Sequence, residues 1–98
     1  MTNIIGKRLA EARTKVGLSQ KQLGISAGID QFSASPRINQ YERGKHTPDL
    51  KTVERLCKVL KIPAPYLYTQ DNLLAEAILL FNDLNLKDKK KLLNSLHK

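Results

Sequence analysis

These 98 residues predict an all-α fold: five helices forming a core over residues 1–70, then a helical hairpin over residues 71–98. Three observations carry that reading. Apolar residues recur at helical spacing, with no strand-like alternation. Aromatics make up 5% of the chain and Trp is absent, so one group of strand formers is scarce. Gly, Pro and small polar residues stand where helices must start and stop. A chain of this length supports one helical core but not two.

Residues 1–4 read as a short, frayed arm. The first helix runs from about Ile5 to Lys15. Ile5, Leu9, Ala12 and Val16 make one buried stripe at i, i+4, i+7 and i+11, and Lys7, Arg8, Glu11 and Lys15 lie mostly outside it. Gly17 stops it.

The stretch Leu18–Gly44 organises the chain. Ser19 and Gln22 form a capping box, in which the hydroxyl takes an orphan N–H and the amide reaches back. The second helix runs over Gln20–Ala27, with Leu23 and Ala27 on its inner face. Gly24 and Ala27 are small enough for another helix backbone to come close. Gly28 can take a left-handed cap, Ile29 turns into the core, and Asp30 can cap or turn the chain.

A third helix ends at Gly44. Ser35-Pro36 is expected to supply its N-cap and first residue, with Ser33 an alternative cap two residues earlier. With Ile38 inward and about 100° per residue, Pro36, Gln40 and Arg43 point outward, and Arg37 and Asn39 flank them. Gln and Asn can bond adenine N6 and N7, Arg can bond guanine O6 and N7 or a phosphate, and Pro36 can touch a thymine methyl. Two short helices at a steep angle, the second carrying this chemistry outward, form a helix-turn-helix suited to a DNA major groove. Arg43 and Lys45, with the backbone N–H groups of residues 44–47, are placed to grip a phosphate.

The fourth helix spans about Asp49–Lys61, with Asp49 as N-cap. Leu50, Val53, Cys57 and Leu60 form its inner stripe beside Leu56, so Cys57 reads as a small core residue. Pro63 ends this region. Pro65 begins a short fifth helix carrying Tyr66, Leu67 and Tyr68.

Residues 72–84 are apolar on more than one helix face: Leu73, Leu74, Ala77, Ile78, Leu79, Leu80, Phe81 and Leu84. Such a helix wants two partners, its own domain and a second subunit. Asn85-Leu86 turns the chain, and Lys87–Leu96 makes an amphipathic helix with Leu92, Leu93 and Leu96 inside. The hairpin is expected to dimerise the chain through Leu73, Leu74, Ala77, Ile78, Leu80 and Phe81, the alternative being a cap on its own core.

The formal net charge is +8, and it is uneven. Residues 1–70 hold 12 Lys and Arg against 5 Asp and Glu, a balance of +7, which suggests a polyanionic partner. The single Cys excludes an internal disulfide and fits a reducing cytoplasm. No apolar run is long enough to span a membrane. Two His and one Cys show no metal-ligand spacing. No phosphate-binding Gly loop, nucleophile–base pair or carboxylate cluster points to an enzyme, and no cofactor is expected.

The joint spacing of Gly17-Leu18-Ser19-Gln20, Leu23, Ala27-Gly28-Ile29, Ile38, Tyr41-Glu42-Arg43-Gly44-Lys45, Pro48, Leu56, Leu60, Pro63 and Tyr66-Leu67 resembles the lambda-repressor-like family, the Cro/repressor or XRE type. The resemblance runs from Ile5 to Tyr68. It implies a five-helix DNA-binding domain in which Arg13 and Glu42 form an ion pair. It further implies that Gln20 touches a phosphate and braces the third helix, and that Ser35, Pro36 and Gln40 face bases. Lys21 and Ser33 complete the candidate DNA contacts with Arg37, Asn39, Arg43 and Lys45. From Gly28 to Glu42 this chain is about four residues longer than the compact family pattern. The extra residues, around Gln31-Phe32-Ser33-Ala34, lengthen the turn or extend the third helix.

The expected function is sequence-specific regulation of transcription, with repression the favoured output, by a dimer on a palindromic double-stranded DNA operator. The alternative is a protein-interaction module, or an antitoxin-like protein, whose apolar helix at residues 73–84 holds a partner protein.

Overall fold

The computed structural model describes residues 3–97. Among them are seven helices and no strand: α1 (Ile4–Lys15), α2 (Gln20–Ser26), α3 (Ala34–Glu42), α4 (Leu50–Leu60), α5 (Ala64–Tyr68), α6 (Asn72–Asp83) and α7 (Leu86–Leu96).

Side-chain caps fix most of the starts. Ser19 Oγ accepts the Gln22 N–H at 3.0 Å while Gln22 Oε1 accepts the Ser19 N–H at 2.8 Å, the reciprocal box that begins α2. Asp49 caps α4 through the Thr52 N–H, and those bonds hold its carboxyl below the usual range. Asp71 caps α6 and Asn85 caps α7. Asn3 caps α1 through the Gly6 N–H and donates to the Glu42 carbonyl at 2.7 Å. The expected frayed arm is therefore fixed from Asn3 onward; Met1 and Thr2 lie outside the described residues.

Helices α1 to α4 all end in the same way. After the last turn, one N–H bonds back three residues and the next bonds back five, as in Gly28 to Ile25 and Ile29 to Gly24. This double bond requires a left-handed residue. Gly28 supplies it after α2 with φ +90°, whereas Lys61, a residue with a Cβ, supplies it after α4 with φ +57°.

The core lies where α1 to α5 converge, with Leu9, Leu23, Ile38, Val53, Leu56 and Leu67 fully buried. Each contributes about 1.5–3 kcal/mol by leaving water. Cys57 belongs to this core, and burial pushes its thiol up to about 11.

Several expected placements change. Val16 and Leu50 are exposed, because each stands at a helix end beyond its packed turns. Tyr68 is half exposed on the last turn of α5, which starts at Ala64 with Pro65 second. Arg8, expected outside the first stripe, is 3% exposed. Its guanidinium bonds the Thr69 carbonyl at 2.8 Å, the Gln70 carbonyl and Asn72 Oδ1 at 3.0 Å each, and Glu11 at 3.1 Å. It also stacks 5.7 Å from the Tyr66 ring centre. A charge survives burial there because its donors find acceptors. Burial, then the Glu11 charge, raises the Tyr66 hydroxyl above its usual range.

Helix α6 lies on the core by one face only. Ala75 is buried, and Ile78 and Leu79 pack against the core, so Ile78 faces its own domain rather than outward. Leu73, Leu74, Ala77 and Leu80 are exposed on the other side, Leu73 at 80%, while Phe81 is partly covered, with Lys89 Nζ 5.6 Å from its ring centre. No residue of α7 is buried, so Leu92, Leu93 and Leu96, expected inside, are open to solvent in the single chain. Among the described residues no helix covers that apolar stripe enough to bury it.

Candidate nucleic-acid interface

Helix α3 is held at both ends and along one side. At its N-terminus Ala34 is fully buried against α2. A Cβ at Gly24 would stand 2.7 Å from the Ala34 Cβ and 2.9 Å from its Cα, so only Gly lets the two helices come this close. Along its length Ile38 and Tyr41 enter the core.

At its C-terminus Glu42 collects three donors. Arg13 Nε reaches Oε2 at 2.6 Å, while Arg13 Nη2 and Gln20 Nε2 reach Oε1 at 3.1 and 3.0 Å. The hydrogen bonds to Glu42 raise the Arg13 guanidinium above its ordinary value. Arg13 also donates to the Leu18 carbonyl at 2.9 Å. One carboxylate thus ties α3 to α1 and to the start of α2, a fork geometry that favours Arg over Lys.

The remaining side of α3 is open. Pro36, Arg37 and Arg43 are exposed; Asn39 and Gln40 are partly so. Lys21 and Lys45 are exposed on either side of it in sequence, and Ser33 and Ser35 are half-buried at its start. Among the described residues the ion pairs are Arg8–Glu11 and Arg13–Glu42, so Lys21, Arg37, Arg43 and Lys45 are not neutralised by a carboxylate contact. Arg37 and Gln40 border a shallow polar depression shared with Tyr41, His46, Thr47, Asp49 and Thr52. Sequence reasoning reached Thr47 only through its backbone N–H and left Thr52 out, since no local pattern joins the start of α4 to the middle of α3.

Two expectations about this surface change. Helix α3 begins at Ala34, with Ser33 in the cap position but making no side-chain cap bond. Ser35 and Pro36 are therefore its second and third residues rather than its cap and first. Pro fits there because the first four N–H groups of a helix have no partner to lose. The backbone N–H groups of Gly44, Lys45 and His46 are also already used: they donate to the Tyr41 and Gln40 carbonyls at 2.9–3.3 Å. These three do not offer a phosphate grip, which leaves the Thr47 N–H and the Arg43 and Lys45 side chains.

Among the described residues no helix is long and apolar enough to cross a membrane, and no His, Cys, Asp and Glu cluster to hold a metal.

Comparison with known proteins places this arrangement. The helix-turn-helix family model matches residues 9–67. The SPbeta prophage-derived uncharacterized HTH-type transcriptional regulator YonR of Bacillus subtilis (strain 168) is 34% identical over 64 residues, 65% of this chain and 56% of its own length. The HTH-type transcriptional regulator ImmR of the same organism is 33% identical over 67 residues, 68% of this chain and 50% of its own. The chain thus spans about half the length of these curated relatives. The crystal structure of transcriptional regulator BswR superposes with a TM-score of 0.89 at 48% identity, over 93% of this chain and 90% of that one. That likeness continues past residue 67 into the last two helices. A matched family model over most of the chain, a matching fold and a helix-turn-helix held by Arg13, Glu42 and Gln20 lead to one conclusion: the chain belongs to the lambda-repressor-like, XRE-type helix-turn-helix family.

Proposed function

We propose that this chain is a sequence-specific double-stranded DNA-binding transcriptional regulator. It acts as a homodimer, sets two copies of α3 in successive major grooves of a palindromic operator, and represses by occluding the promoter in the cytoplasm. The observation that supports this most is the outward side of α3, where Arg37 and Arg43 are exposed and Asn39 and Gln40 partly so, on a helix fixed at both ends. Asn39 and Gln40 present the amides that suit adenine, and Arg37 presents the fork that suits guanine. Gln20, Lys21, Ser33, Ser35, Arg43 and Lys45 surround them as phosphate and sugar contacts, supplying affinity and register. The +7 balance of residues 1–70 adds long-range attraction.

Dimerisation rests on the open side of α6. Leu73, Leu74, Ala77 and Leu80 follow i, i+1, i+4, i+7 and are exposed, the seam that a second copy would cover. Leu92, Leu93 and Leu96 of α7 would join it.

Fluorescence anisotropy with operator duplexes tests the reading. Gln40→Ala is expected to cost about 1–3 kcal/mol and relax choice at one base position, whereas Lys45→Ala weakens all sequences alike and reduces the salt slope by about 1. Sedimentation is expected to give a dimer that Leu73→Glu with Leu80→Glu converts to monomer. Unchanged affinity and base choice in both Gln40→Ala and Arg37→Ala would reject α3 as the reader. A monomer that recovers its apolar cover only with a different co-purifying protein would replace the homodimer with an interaction module.

A further inference from the structure

Phe32 is the most exposed large apolar side chain among the described residues, at 82%. It stands two residues before α3, in the lengthened connection, on a turn that is itself fixed. Asp30 Oδ2 accepts the Phe32 N–H at 3.1 Å, and the Asp30 carbonyl accepts the Ser33 N–H at 2.9 Å. Ser33 has φ −103° and ψ −11°, and its carbonyl accepts the Arg37 N–H at 2.9 Å, so the turn of α3 already runs through Ser33.

Carried back at about 100° per residue, the helix phase places Phe32 within about 60° of Asn39, Arg43 and Pro36. Ala34, Ile38 and Tyr41, the buried side, lie opposite. Phe32 therefore continues the outward row of α3 two residues ahead of its N-terminus, in keeping with its exposure. A phenyl ring has no donor or acceptor, so it gains nothing from a phosphate or from the polar base edges. The one apolar feature of the major-groove floor is the thymine methyl.

We infer that Phe32 is a specificity-determining residue, which packs its ring on a thymine 5-methyl at the edge of each half-site. The inference rests on the DNA-binding reading above and adds a base position that the polar side chains of α3 do not cover. The fixed turn means that little ordering is lost when the ring is covered.

The test uses the full chain, the duplex it selects from random DNA, and copies of that duplex in which each thymine in turn is replaced by deoxyuracil. That exchange removes a methyl and nothing else. The expected result is one position per half-site where the wild type weakens about fourfold, the transfer value of one methyl group. Phe32→Ala binds the two duplexes equally, and Phe32→Leu keeps part of the difference. Equal sensitivity of the wild type and Phe32→Ala at every thymine, or an unchanged selected motif for Phe32→Ala, would overturn the assignment while leaving the DNA-binding reading intact. Failure of the wild type to enrich any duplex would overturn both.

Discussion

Replacing Arg8 by Met is expected to loosen the junction between the five-helix core and α6. Met is an unbranched side chain of similar length, so the change removes the donors and the guanidinium's contact with the Tyr66 ring while leaving little space unfilled. Arg8 serves two main-chain carbonyls, at Thr69 and Gln70, and the Asn72 side chain at the first residue of α6. Its ionic partner Glu11 is itself half exposed, so no buried charge is stranded by the exchange. The Gln70 carbonyl, in an exposed residue, can turn to water; the Thr69 carbonyl is more enclosed. Net bonds to a charged donor contribute about 1.5–3 kcal/mol each, and with part of that regained by hydration the expected loss is about 3 kcal/mol. For a domain of this size that is a fall of about 12 °C in Tm, read by circular dichroism. Chymotrypsin should also cut faster after Tyr68, which is half exposed beside the junction. A variant as stable as the wild type, with unchanged cleavage, would refute the reasoning. The desolvation cost of the guanidinium would then equal everything its bonds contribute.

Three further outcomes are expected. Glu42→Gln removes the charge on which Arg13 and Gln20 converge and should cost about 2–3 kcal/mol in urea unfolding, whereas loss of less than about 0.5 kcal/mol would show the pair is dispensable. Lys61→Gly relieves a Cβ-bearing residue held at φ +57° and should stabilise the chain by up to about 1 kcal/mol; destabilisation would mean the Lys61 side chain contributes more than the strain costs. Burial holds the Cys57 thiol protonated up to about 11, against 9 for an ordinary thiol. The unfolded chain therefore loses its proton first as pH rises, and stability should fall across pH 9–11, a slope that Cys57→Ala reduces to the part left by the raised Tyr66 hydroxyl. An aromatic disulfide reagent at pH 8 should accordingly label Cys57 only as fast as the chain opens.

Local chemistry made much of this fold legible. Ser19 with Gln22, Gly28 and Asp49 act within a turn or two of themselves, so their caps and stops can be read from neighbours in sequence. The Arg13–Glu42 contact joins residues 29 apart and was reached only through family resemblance. Arg8 was missed because its acceptors stand 61 to 64 residues away, and a charged residue beside Leu9 reads as surface unless those carbonyls are known. Between the two starts the sequence offers for α3, Ser35-Pro36 is the better local cap, yet the helix takes the earlier one at Ser33, where Ala34 packs against Gly24. The N–H groups of Gly44, Lys45 and His46 differ from expectation for a similar reason: the bonds closing the helix use them first. Asn3 could have been found, since Asn ahead of an apolar run is a cap signal. At the other end, periodicity found the apolar stripe of α7 but could not supply what covers it.

The central claim is that α3 reads base sequence, and selection of bound fragments from random duplex DNA at near-physiological salt tests it most directly. The expected result is an enriched palindrome with half-site centres about one helical turn, ~34 Å, apart. Tight binding that enriches no motif would contradict it and leave a basic, sequence-indifferent binder.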